Sequence, residues 1–195
     1  MTINPDGSLT VSLLGFLTGQ SPQLLHISRS GQVTILVTGE PGEAIGGNAR
    51  DSQGTIYYNL LSGDPARSGI WRVRSGGSPE RIGALSAGQF LNGLTIDAAG
   101  KNLYAADSLA GAIWTVPTSG GPVTAWLASP ALAPLEPGPG HFGANGVTYH
   151  NGAVWALSDT QIGRPGPVDV PQELRRFGSV CRATPGMSET RLVCW

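Results

Sequence analysis

The sequence predicts an all-β fold of the β-propeller type, with about four blades. Three observations predict it. A phrase of short strands and tight turns recurs along the chain, aromatic residues return at the same place in each phrase, and Gly-Gly turns punctuate the strands. One copy runs Asn92-Gly93-Leu94-Thr95-Ile96-Asp97, Leu103-Tyr104, Ile113-Trp114, Gly120-Gly121 and Val123 to Leu127. An earlier copy runs Asp51 to Gly54, Ile56-Tyr57-Tyr58, Ile70-Trp71, Gly76-Gly77 and Glu80 to Ile82; a later one begins Asn145-Gly146-Val147 and continues to Val154-Trp155. The steps from Ile70 to Ile113 and from Asp51 to Asp97 are about 43 and 46 residues, the spacing of four-stranded blades.

The first phrase opens with a strand at Leu9 to Leu13 after an Asp6-Gly7 turn. A hairpin follows, Leu24 to Ile27 and Val33 to Val37 around Ser30-Gly31, and it matches the outer half of a blade. The inner half of this first blade is not recognisable, because Thr18 to Gln23 stands where two strands are expected. The second and third phrases are complete. A Pro/Gly-rich insertion from Pro130 to Gly143 precedes the fourth and reads as a functional rim or lid. The organisation expected is therefore blades over residues 1–160 and an irregular, loosely attached tail over 161–195, with one short helical turn at Pro171 to Phe177.

Composition narrows the function. A net charge of −1 gives no electrostatic basis for a nucleic-acid or anionic-membrane partner. No apolar run is long enough to span a bilayer as a helix, and the first residues carry no signal-peptide pattern, so a cytoplasmic location is expected, with secreted relatives left open. Cys181 and Cys194 are the two cysteines; a disulfide between them would close a short loop, but incidental free thiols are the expectation. No nucleophilic triad, P-loop or dinucleotide fingerprint is present, and no catalytic residue is assigned.

The phrases Phe90 to Asp97, Leu103 to Ser108, Ile113 to Val116 and Phe142 to Val147 together resemble the senescence-marker-protein (regucalcin)/gluconolactonase superfamily of six-bladed propellers. The resemblance spans residues 24–160 and implies a partial copy, about four blades of a six-bladed type. It implies a divalent cation, calcium above all, bound by oxygen side chains at the starts of the innermost strands, and hydrolysis of a small lactone or ester. On that resemblance Asn92 and Asn145 are the metal-ligand candidates. Gly46 falls where the preceding blade would supply a third ligand, Asn48 lies two residues away, and Glu43 is near an inner-strand start but out of register. His141, in the long insertion, is the candidate substrate contact.

Plainer roles compete for the same residues. Asn-Gly is a favoured turn dipeptide. Asp51 and Asp97 belong to tight turns, and Asp107 and Asp159 either cap a turn or face the channel. Trp71, Trp114, Tyr104 and Trp155 are expected to pack between blades, with His26 and His150 on the surface or in turns. Two functions follow: a metal-dependent lactonase or esterase with a small-molecule substrate, or a non-catalytic propeller scaffold. An incomplete ring would also expose the flanks of its terminal sheets and favour self-association.

Overall fold

The computed structural model describes residues 1–86, 89–134, 141–158, 179–185 and 192–194. Sixteen strands follow in chain order: β1 (Thr2–Ile3), β2 (Leu9–Leu13), β3 (Gln23–Ile27), β4 (Val33–Thr38), β5 (Ala44–Arg50), β6 (Ile56–Leu61), β7 (Gly69–Val73) and β8 (Glu80–Ala84) form the first two sheets. The third and fourth contain β9 (Leu91–Ile96), β10 (Asn102–Asp107), β11 (Ala112–Pro117), β12 (Thr124–Ala128), β13 (Ala144–His150), β14 (Ala153–Ser158), β15 (Ser179–Ala183) and β16 (Leu192–Cys194). Each sheet has four antiparallel strands in sequential order, the meander that defines a propeller blade. Among the described residues the only helical pieces are two three-residue 3-10 turns. The chain divides into two compact units, Met1–Ala87 with Val116–Val123, and Gly88–Thr115 with Thr124–Trp195.

The repeated turns have a common cause. Asp51 Oδ1 accepts from the backbone N–H groups of Gln53 and Thr55, and Asp97 Oδ1 accepts from that of Lys101. Each carboxylate folds the chain back between the first two strands of its sheet, as the sequence indicates. Gly54 and Gly100 close these turns at φ 87° and 67°, where a side chain would be strained.

Three sequence expectations are corrected. The first blade is complete: β1 and β2 supply the inner half, paired through Thr2 with Thr10 and Ile3 with Leu9. A two-residue strand is too short to show alternation, which is why its signal was absent. The same blade carries the register shift found in the next two, between Leu24 and Leu25, Ile70 and Trp71, and Ile113 and Trp114, which marks the three as equivalent.

The tail is the second correction. Residues 179–183 and 192–194 form the two outer strands of the fourth sheet, with Ser158 paired to Ser179 and Cys181 to Cys194. Cys181 is buried and disulfide-bonded, and Cys194, its register partner, is the only other cysteine in the chain; the free-thiol expectation is thereby overturned. The strands escaped detection because a long stretch of sequence separates them from β14, which breaks the repeat period. Asp159 and Pro171 to Phe177 lie outside the described residues.

Each unit has its own core. In the first, Leu24, Ile45, Ile56, Tyr58, Leu60 and Val73 cluster, with Trp71 packed against them. Burial pushes the Tyr58 phenol well above its ordinary pKa, so it remains neutral. In the second, Tyr104, Ile113, Leu132, Val154 and Cys181 form the centre, and Tyr104 meets Trp126 edge-on at 4.9 Å and Tyr149 in a stack at 6.5 Å. Trp114 and Trp155 are instead tied locally, their indole N–H groups donating to Asp107 Oδ2 and to the His150 carbonyl. Leu132 roots the start of the Pro130–Gly143 insertion in this core.

Candidate functional site

Asn92 and Asn145 occupy equivalent irregularities in neighbouring strands of the second unit. The β9–β10 register slips between Leu91 and Leu94, and the β13–β14 register slips between Ala144 and Gly146. An extra residue at such a bulge re-aims its side chain away from the regular alternation. Both asparagines are half-buried. In the first unit the β5–β6 pairing slips between Ile45 and Asn48, so Gly46 and Gly47 occupy the corresponding place.

The two asparagine bulges abut. A Cβ added to Gly93 would lie 2.6 Å from the Asn145 carbonyl oxygen and 2.8 Å from the Val147 nitrogen. Only glycine permits this approach of backbone to backbone. Further along, the Tyr149 N–H donates to Thr95 Oγ1 at 3.0 Å. The close approach of β9 and β13, inner strands of two different sheets, thus positions both Asn-Gly motifs.

Ser108 fastens the starts of both strands. Its N–H donates to the Phe90 carbonyl, its own carbonyl accepts from the Gly143 N–H, and its hydroxyl donates to the Ala144 carbonyl at 3.0 Å. Asp107, fully buried, accepts through Oδ1 from the N–H groups of Phe90, Leu109 and Ala110. Asp107 therefore caps a turn, one of the two roles open to it in the sequence. Ser108 is silent in the sequence: a serine after a strand-ending aspartate carries no signal until two inner strands converge on it.

His141 is exposed, and the adjoining Phe142 stacks on Phe90 at a centroid distance of 5.8 Å. That stack ties the end of the insertion to the residues just before Asn92.

A hard divalent cation takes six to eight oxygens, carboxylates prominent among them. In the second unit the candidates are two neutral carboxamides. In the first, Gly46 offers no side chain, and Glu43 is committed: Arg67 Nε and Nη2 donate to its two oxygens at 2.6 and 2.9 Å, and the Glu40 N–H donates to Oε2 at 2.7 Å. The Arg67 guanidinium holds the Glu43 carboxyl below its ordinary pKa, against the opposing effect of burial. Asn48 is buried and donates to Ser12 Oγ, while its Oδ1 has no hydrogen-bond partner among the described residues. Among the described residues, no group of three or more His, Cys, Asp or Glu could hold a metal ion. These residues do not by themselves fit a complete calcium site.

No protein-family model and no curated protein matches the sequence. Solved structures do match in fold. Virginiamycin B lyase from Staphylococcus aureus aligns with a TM-score of 0.67 at 17% identity, over 100% of this chain and 53% of that one. Regucalcin from Agrobacterium tumefaciens, a calcium-binding protein, aligns with a TM-score of 0.56 at 17% identity, over 80% and 50%. A protein assigned as a gluconolactonase aligns with a TM-score of 0.57 at 16% identity, over 82% and 54%. The class is thus the β-propeller, and the likeness at these identities is one of fold. The chain spans about half the length of the propellers it matches.

Proposed function

We propose that this chain is part of a divalent-metal-dependent hydrolase of the gluconolactonase type, acting on a small lactone or ester. In this reading Asn92 and Asn145 supply two neutral oxygen donors for calcium, and His141 contacts the substrate. The observation that carries it is the abutment of the two Asn-Gly bulges at Gly93, fastened by Ser108. The fold likeness to regucalcin and to a gluconolactonase supports the same reading. No chemical step is assigned, because the donor set on these strands is partial.

The test is calcium titration followed by calorimetry and thermal melting, since an ion bound to the folded state raises the midpoint. With a partial donor set, dissociation constants are expected near the weak end of calcium sites, about 10⁻⁴ to 10⁻³ M. Asn92→Ala should weaken binding more than Asp97→Ala, whose carboxylate is used by its turn. Equal effects would remove Asn92 from the ligand set.

A second reading, a non-catalytic propeller scaffold, is favoured by one observation: the Glu43 carboxylate is consumed by Arg67. Calcium-independent melting together with background turnover of small lactones would select it. Self-association through sheet flanks belongs to either reading, and static light scattering measures it.

A further inference from the structure

A groove of about 530 Å³ opens between the two sheets of the first unit, and none of its lining residues belongs to the strands that carry Asn92 and Asn145. Its size falls within the range of small-molecule sites. It lies where β5 ends and β6 begins, beside the β7–β8 turn. Part of the lining is apolar: Ile56 and Val73 are buried there, in one row of the second sheet with Arg50, and Leu36 of the first sheet is half-buried. The lining also carries two arginines and a histidine: Arg50 at the end of β5, Arg74 just after β7, and His26 from β3.

Two of these three side chains make no direct polar contact with the protein among the described residues. The side chains of Arg50 and His26 have no hydrogen-bond or ion-pair partner among the described residues; Asp6 acts on Arg50 through space only. Arg74 reaches Glu80 at 3.7 Å, but that carboxylate is already held at both oxygens by Arg72, at 3.0 and 2.9 Å. The Arg50 guanidinium lies across Gly54, where an added Cβ would come within 3.1 Å of Nη2. The missing side chain leaves the planar fork open to the groove. A half-buried arginine without a hydrogen-bond partner, beside apolar side chains, is matched by an anion with an apolar body.

We propose that this groove binds a small organic carboxylate, its carboxyl group taken by Arg50 in a two-pronged hydrogen bond and its apolar body laid against Ile56, Val73 and Leu36. Arg74 and His26 add charge and a donor at the rim. The proposal is independent of the cation reading, since it uses neither asparagine.

The probe is 3-phenylpropionate, titrated by calorimetry into the full chain beside its neutral amide and inorganic phosphate. Saturable binding of the acid is expected, with the amide and phosphate each weaker by about tenfold or more, the worth of a charge-assisted hydrogen bond. Arg50→Gln should lose about tenfold, and Arg50→Lys should recover only part, because an ammonium cannot form the fork. Arg74→Gln, at an exposed side chain that leaves folding intact, should weaken binding about threefold, a screened surface-charge effect. Asn92→Ala should leave the titration unchanged, which separates this result from the cation test. Equal binding of acid and amide, equal binding of phosphate, or undiminished affinity in a folded Arg50→Gln or Arg74→Gln variant would overturn the assignment.

Discussion

Gly93 rests directly on the backbone of Asn145, with no room between them for a methyl group. This contact decides how closely β9 and β13 approach and where both Asn-Gly motifs stand. Gly93→Ala would place its Cβ 2.6 Å from a carbonyl oxygen and 2.8 Å from a backbone nitrogen, neither of which can rotate aside. Overpacking of this kind costs about 1–3 kcal/mol. A lower melting midpoint is expected, together with weaker calcium binding; a variant as stable as the parent would show that the strands separate without penalty.

The Glu43–Arg67 pair should make stability depend on acid. Glu43 has a folded pKa below its unfolded value, so its contribution is complete above the ordinary glutamate value of about 4.3 and is lost as pH falls through the lowered folded value. Arg67→Met would leave a buried carboxylate short of two donors, at a cost of about 1–3 kcal/mol near neutrality given the partial exposure of Arg67. Urea unfolding at pH 7 and pH 3 checks this: the gap between parent and variant should shrink at the lower pH.

Asp107 should matter for stability rather than for chemistry. It accepts from three backbone N–H groups and from the Trp114 indole, and it is fully buried. Asp107→Ala strands those donors, and about 2–3 kcal/mol of destabilisation is expected from the buried groups left unpaired. Chemical denaturation measures the loss, and the indole fluorescence of Trp114 should report the loosened turn.

Reduction should weaken the fourth sheet. Cys181 is disulfide-bonded within the β15–β16 hairpin, a loop short enough that the bond contributes about 2–3 kcal/mol. Thiol titration of the unreduced, unfolded chain should find no free thiol, and dithiothreitol should lower the melting midpoint. Two titratable thiols before reduction would contradict the pairing.

What the sequence by itself determined was periodic and local. The aromatic strands, the Gly-Gly hairpins and the recurring Asp-to-Gly turns reveal three blades directly; in the second and third sheets the turn is built by one carboxylate, Asp51 or Asp97, within a few residues of its donors. The two asparagines stand out for the same reason, as a dipeptide repeated at the same place. Tertiary structure decided what depends on distant partners. The two-residue β1 acquires meaning only beside β2, and β15 and β16 only beside β14, because strands so short or so far from the repeat are specified by pairing rather than by pattern. It also decided which oxygens are available: Glu43 is an unremarkable glutamate in sequence, and only folding brings Arg67 onto it from 24 residues away. Whether a carboxylate is free to hold a ligand depends on which charges are folded around it, and local sequence does not record that.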